Sequence, residues 1–494
     1  MNKTIRISAL AIFAVLSVQA QNETDALRYS QTTFGGTARY NSMAGAFGAL
    51  GANMSALSSN PAGLGLYLKN EITFTPNSFF QSTTSDYTST GGAGSTTQSG
   101  SKYVNTIQNI GIVGVKYLNK ANEGGWQMVN FGLAYNQLAN YNNNTNSQGY
   151  NYTNSSLPSV FVNNANGNQP ANLNPNAEAL AYDAYLIDNR QGGVQGGTQY
   201  ISNFPTGGTL QQNSVTSSGR MGETALSVSG NYNNKIYLGG TIGFDDINYS
   251  SNTVYTETAL KDSVGGVNSF NVNQQLKTTG FGINLKLGLI YKVNDWMRIG
   301  LAAHSPTQFS MHDNYSSSLT AYFKDSTDQG KSSGYYNYTL TTPARVIGSL
   351  GFIIAKKGLI GLDYEYVNYA SANLSSSDAG VFSSSNNAIQ NKYRGTGNAR
   401  IGAEWKIIEN IAVRVGYAYY GNPYQSGANN IDASRHSYTT GLGFRDKNFS
   451  VDFAYVLTQY KENSYYYDPT IVNVNPVKNT FNATNVMLTF GLKF

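Results

Sequence analysis

The chain has no cysteine, only three histidines, and few charges: Asp, Glu, Lys and Arg make up 12% of its 494 residues, about half the usual share. Without cysteine there is neither a disulfide nor a thiolate metal site. The histidines, His304, His312 and His436, are too few and too scattered for a histidine-rich centre, so no metal and no cofactor is predicted. The formal net charge is +5 and the basic residues are spread along the chain, which leaves no nucleic-acid footprint. Phosphate-binding loops and dinucleotide fingerprints are absent. Beyond the first twenty residues no apolar run approaches the ~18–20 residues of a membrane helix.

The shortage of charge is made up by 52 Gly, 37 Tyr and many Asn, Ser and Thr, a mixture suited to strands, tight turns and polar loops. The 13% of aromatic residues argues against a disordered chain. Residues 1–20 have the form of a secretory signal: Lys3 and Arg6, an apolar stretch Ile7–Val18, then Val18-Gln19-Ala20 at the cleavage position. An exported chain without membrane helices spans a bilayer only as a closed barrel, because open strand edges go unsatisfied in lipid.

Period-two alternation marks the strands. Val486, Leu488, Phe490, Leu492 and the terminal Phe494 share one face, with Asn485, Met487, Thr489, Gly491 and Lys493 on the other. The same pattern puts Ile360, Leu362, Tyr364 and Tyr366 opposite Asp363 and Glu365. It also sets Ile411, Val413, Val415, Tyr417 and Tyr419 opposite Arg414, and Met297, Ile299 and Leu301 opposite Arg298. Charge on one face only fits a lumen, since Arg or Lys at the lipid midplane costs roughly 2–4 kcal/mol. Arg298, His304, Arg345, Asp363, Glu365, Glu404 and Arg414 are therefore candidate luminal polar residues.

Fourteen strands are predicted, at about 70–80, 105–119, 124–140, 221–232, 234–250, 271–291, 295–312, 342–355, 357–372, 388–407, 410–420, 435–446, 448–461 and 479–494. Short connections, such as 119–123, 231–234 and 356–357, alternate with long ones at 81–104, 141–220, 251–270, 313–341, 373–387, 421–434 and 462–478. Short periplasmic turns and long extracellular loops have this form, and it puts both chain ends on the periplasmic side. The resulting division is 1–20 signal, 21–69 N-terminal segment and 70–494 transmembrane β-barrel. The small residues of 21–69 suit packing inside a lumen, or a periplasmic tail. In the loop 141–220, Asn176–Ile187 reads as a short helix with Leu180, Ala184 and Ile187 in one stripe.

Four stretches then carry a family resemblance: Asn53–Leu64, with Asn60-Pro61-Ala62-Gly63; His304-Ser305-Pro306-Thr-Gln-Phe309; Thr342-Pro343-Ala-Arg345, followed by Gly361–Val367; and Arg400–Trp405, followed by Val413–Tyr419. In this order the chain resembles the FadL/TodX-type outer-membrane transport proteins for hydrophobic compounds. The resemblance implies a fourteen-stranded barrel with an N-terminal hatch containing Asn60, Pro61, Ala62 and Gly63, and a sideways opening in the wall near a strand kink. Asn53 stands where the family often has Asp. Ligand-binding residues do not carry over, because the loops cannot be matched.

The implied function is passive uptake of hydrophobic compounds, such as long-chain fatty acids or aromatic hydrocarbons, across the outer membrane of a Gram-negative bacterium. The partners would then be outer-membrane lipid and a hydrophobic small molecule. The alternative is a structural or secretion-associated barrel whose periplasmic or outer-membrane protein partner would account for the Asn-rich loops. An enzyme is not expected. His304 and Ser305 are adjacent and point to opposite faces of a strand, and the same-face pair Asp363 and Glu365 is explained by a polar lumen.

Overall fold

The computed structural model describes residues 22–118, 124–189, 197–261, 266–428 and 432–494. The expected signal segment and the expected turn at 119–123 lie outside the described residues. Fourteen antiparallel staves form one closed barrel. The first seven are β1 (Glu71–Thr88), β2 (Ser95–Tyr117), β3 (Trp126–Asn140, continued as Asn143–Asn151), β4 (Thr209–Tyr232), β5 (Ile236–Ala259), β6 (Ser269–Lys292) and β7 (Met297–His304, continued as Gln308–Tyr322). The rest are β8 (Thr327–Thr341, continued as Arg345–Ile354), β9 (Gly358–Asn368), β10 (Gly395–Lys406), β11 (Ile411–Tyr420), β12 (Arg435–Arg445), β13 (Phe449–Ser464) and β14 (Val477–Lys493). The ring closes where β1 pairs with β14, from Glu71↔Lys493 to Tyr87↔Val477.

Side-chain direction follows the pleat. Leu285, Leu287, Leu301, Tyr364, Val415, Leu488 and Phe490 are exposed on the outer face. Asp363, Glu365, Glu404 and Arg414 are buried on the inner one. At one end the connections are tight. Asn233 and Asn234 both have positive φ (53° and 54°), the backbone of a two-residue type I′ hairpin turn.

At the other end the staves run far past the apolar belt. The outward residues of β5 are Leu238, Ile242 and Phe244, and then Asp246, Asn248, Ser250 and Asn252. A strand needs about 9–11 residues to cross a bilayer, whereas β4, β5 and β6 have 24 each. Much of 81–104, 251–270 and 313–341, expected as loop, is therefore ladder. Outside lipid the outer face needs no apolar residues, so these extensions carry no hydropathy alternation.

Between β3 and β4 the chain folds into a cap with helices α3 (Leu157–Ala165) and α4 (Glu178–Asp183). These numbers follow α1 (Glu23–Ser30) and α2 (Ala38–Ser42) of the N-terminal segment. Leu180, Ala184 and Ile187 are all buried in an apolar cluster with Phe161, Tyr255, Phe270 and Tyr466. Residues 369–394, between β9 and β10, include α5 (Ser383–Lys392), which replaces the expected start of a strand at 388. Asn22, the first described residue, caps α1 inside the lumen near this long-loop end, where the Lys392 Nζ donates to Glu23 (2.7 Å). Lys493 lies at the short-turn end. Residues 22–70 therefore run through the lumen from the long-loop end to the short-turn end, where Glu71 pairs with Lys493.

Candidate functional site

The wall's ladder is interrupted between β2 and β3. β2 and β3 pair only from Asn109↔Asn136 to Tyr117↔Met128. At that level both staves carry an irregularity. β2 bulges at Gln108, where the partner register jumps between Thr75 and Pro76, and β3 shifts register between Gln137 and Ala139. Proline lacks the N–H that a ladder needs, which confines it to such places. Beyond the bulge the continuation Asn143–Asn151 stays paired with β4 but not with β2. It lies instead on the inner side of the β1–β2 hairpin. Asn143 Oδ1 accepts from the inward-facing Gln81 (3.2 Å) and Thr83 (3.1 Å), and Asn146 Nδ2 donates to Ser99 O (3.2 Å). The two layers overlap and are held by side-chain hydrogen bonds and, at the hairpin tip, by backbone bonds from Thr90 N to Tyr150 O (3.1 Å) and from Tyr152 N to Thr90 O (2.8 Å).

The bulged backbone faces the N-terminal segment. Leu138 O accepts from Thr33 N (2.9 Å) and Thr33 Oγ1 (3.1 Å). α1 fills an apolar chamber at this height, where Ala26, Leu27 and Tyr29 pack in one cluster with Ala139, Met221, Ile247, Phe309, Met311, Leu340 and Phe382. Below it the segment runs across the lumen on a floor of glycines. A Cβ at Gly361 would stand 1.9 Å from Ala46 O, and one at Gly239 would stand 2.4 Å from the Pro61 carbonyl. Asn60 caps the turn Pro61–Leu66, accepting from Ala62 N (3.1 Å), and its Nδ2 donates to Gly48 O (2.6 Å) and Leu289 O (3.3 Å). Gly63 packs against Gly51, which has φ +60°.

The seven luminal candidates all lie against this segment or one residue removed from it. Arg298 donates to Leu50 O (2.9 Å), His304 Nε2 lies 2.7 Å from Ser59 O, and Arg345 donates to Ser30 O (2.5 Å). Both Asp363 oxygens accept from Gly48 N at 3.2 Å. Glu365 holds Arg345 in place (2.9 Å). Glu404 accepts from Arg39 Nε (2.8 Å) and Nη2 (3.0 Å), and also from Arg414 Nε (2.6 Å), while Arg414 pairs with Asp452 (2.7 Å). They are positioned by alternation alone: each follows an outward-facing neighbour on its stave. No group of three or more His, Asp or Glu gathers as a metal site among the described residues.

The two proline stretches of the sequence sit side by side. β7 breaks at Ser305–Thr307 and β8 at Thr342–Ala344, and Thr342 N donates to Thr307 O (3.0 Å) across the break. Sequence reading found these prolines, but it missed the seam, Lys392 and α1. A bulge leaves the composition of a strand unchanged, so Gln137-Leu138-Ala139 gives no signal of its own.

The model of the family described as outer membrane protein transport protein (OMPP1/FadL/TodX) matches residues 197–494. The chain belongs to this family. Outer membrane protein P1 of Haemophilus influenzae is 27% identical over 188 residues, which span 37% of this chain and 39% of that protein. A Pseudomonas aeruginosa FadL homologue covers 94% of this chain and 99% of its own at TM-score 0.54 and 15% identity. The Pseudomonas putida toluene transporter TodX covers 93% and 99% at TM-score 0.52 and 13% identity. At these identities the two solved structures share the fold. The FadL/TodX family to which this barrel belongs is one of outer-membrane transport proteins, so the barrel's outer face is its lipid face.

Proposed function

We propose that this FadL/TodX-family barrel is a passive uptake channel for hydrophobic compounds, such as long-chain fatty acids or aromatic hydrocarbons, with residues 22–69 as its hatch. The long-loop end is extracellular and the short-turn end periplasmic. A solute enters beneath the cap, occupies the apolar chamber when α1 withdraws, and leaves sideways into the membrane between β2 and β3. The observation that carries this reading is the interrupted ladder above Asn109 and Asn136 at the height of an apolar chamber. A hydrophobic solute gains by leaving water for lipid, and a side exit delivers it there without crossing the charged floor formed by Arg39, Glu404 and Arg414.

The absence of cysteine makes the test clean. Ser99→Cys with Asn146→Cys introduces the only two thiols, one on each layer of the seam. In cells lacking other hydrophobic uptake channels, oxidation to the disulfide should cut uptake of labelled oleate or toluene at least tenfold, and dithiothreitol should restore it. Undiminished uptake through the locked barrel would rule out the lateral route.

A further inference from the structure

Glu223 on β4 and Asp245 on β5 are direct cross-strand partners, and both point into the lumen, 0% and 3% exposed. Like charges placed opposite one another in a sheet repel, and burial removes the water that would screen them. Among the described residues one cation pairs with them: Lys286 Nζ pairs with Glu223 Oε2 and donates to Ser58 O (3.1 Å). Asp245 Oδ2 receives only neutral donors, Asn284 Nδ2 (2.8 Å) and Thr307 Oγ1 (3.1 Å). His304 is engaged with Ser59 O. The neighbouring carboxylate Glu365 has its own two arginines, Arg345 and Arg400. The trio Glu223, Asp245 and Lys286 is thus one positive charge short.

Three oxygens in this cluster have no hydrogen-bond partner among the described residues: Glu223 Oε1, Asp245 Oδ1 and Asn284 Oδ1. Glu223 and Asn284 crowd one point, since a Cβ at Gly243 would meet Asn284 Oδ1 at 2.6 Å and the Lys286-paired Glu223 Oε2 at 2.7 Å, and Asn284 Nδ2 donates to both Glu223 Oε2 (3.4 Å) and Asp245 Oδ2 (2.8 Å). Ser58 adds a hydroxyl facing Glu223. All of these side chains border a cavity of about 80 Å³ between the wall and the N-terminal segment, room for an ion and a water or two.

We propose that this cluster is a sodium site, with Glu223, Asp245 and Asn284 as oxygen ligands, Thr307 at its edge and cavity water completing the shell. A hard cation takes oxygen ligands of this kind. Charge decides which cation. One monovalent ion balances the two carboxylates and the lysine, whereas a divalent ion leaves a buried excess beside Lys286. A proton shared by the carboxylates would also balance the charge, and the sodium dependence of binding and melting separates the two. The scarcity of histidine in the sequence speaks to transition metals and is silent on a site of this composition. Bound sodium would tie three adjacent staves to the hatch, which Lys286 and His304 hold at Ser58 and Ser59.

The test uses the full barrel in lipid nanodiscs at pH 8 with choline chloride as background. Equilibrium binding of ²²Na⁺ should saturate at one ion per barrel, and Asp245→Asn should weaken it at least tenfold. The melting temperature of the wild type should rise with NaCl over choline chloride of equal ionic strength and stay level in Asp245→Asn. If that variant does not assemble, Thr307→Val and the wild-type binding isotherm still decide. Absence of saturable ²²Na⁺ binding to the folded wild type would overturn the site. Melting that follows pH but not sodium would assign the missing charge to a proton, and displacement of ²²Na⁺ by a lower concentration of Ca²⁺ would show the charge balance to be wrong. Either result would refute the site.

Discussion

Glu257 shows how far a single side chain reaches. It lies thirteen residues past Phe244, beyond the polar outward run Asp246, Asn248, Ser250 and Asn252 of β5, and so stands well outside the membrane. Its carboxylate accepts from Leu157 N (3.1 Å), the first residue of α3, from Gln211 Nε2 (3.0 Å) and from the Tyr255 hydroxyl. Tyr87 and Tyr467 close the surroundings, with the Tyr467 hydroxyl accepting from the same Gln211 amide. Burial pushes the carboxyl up from 4.5 to about 7, outweighing these hydrogen bonds, which favour the charged form. The folded value lies above the unfolded one. Its contribution to the closed cap is therefore fully present below about pH 4.5 and is lost as the pH rises through about 7. A nitroxide on α3 at Asn163→Cys should report increasing mobility from pH 5 to pH 8. Adding Glu257→Gln should abolish that pH dependence, and an unaltered profile in the double variant would exclude Glu257 as its origin.

Among the elements, α1 is the most consequential and was the least visible. Removing residues 22–30 takes Ala26, Leu27 and Tyr29 out of the apolar chamber and leaves the glycine-floored part of the N-terminal segment docked. The truncated barrel should bind a fluorescent fatty-acid analogue at least tenfold more tightly than the full chain. Equal affinity would mean that α1 and the solute do not compete for the chamber. The staves themselves were legible wherever lipid imposes alternation, as in Ile411–Tyr419 or Val486–Phe494. Outside lipid that constraint ends, and polar ladders such as Asn143–Asn151 against Thr209–Ser217 read as loop. Arg298, His304 and Glu404 were legible as inward-facing, because alternation fixes direction. Their partners on the N-terminal segment were not, because a backbone carbonyl such as Leu50 O or Ser59 O leaves no trace in a sequence.

For the whole molecule, the height of the apolar belt divides the barrel into a lipid-bound ring and a taller polar sleeve. β6 samples both. Leu287 is 68% exposed on the outer face within the apolar run Phe281–Tyr291, and Gln275 is exposed on the same face twelve residues away toward the long-loop end. Leu287→Arg should lower the folding free energy in lipid vesicles by roughly 2–4 kcal/mol, as a charge near the bilayer midplane does. Gln275→Arg should change it by less than about 0.5 kcal/mol, as surface substitutions do. Denaturant titration of both variants measures the difference, and equal midpoints would displace the belt from the position assigned to it.

The lapped seam between β2 and β3 has a mechanical corollary. The ring is held together by ladder bonds through the belt, including the β1–β14 closure, which skips only Thr75 and Pro76. The proposed side door is held by a handful of Asn, Gln, Thr and Ser contacts between two overlapping sheets and by the backbone bonds of Thr90 to Tyr150 and Tyr152. Sliding those sheets apart breaks none of the bonds that keep the cylinder round. Robustness and permeability therefore reside in different sets of bonds, so the door can work through many cycles without wear on the frame.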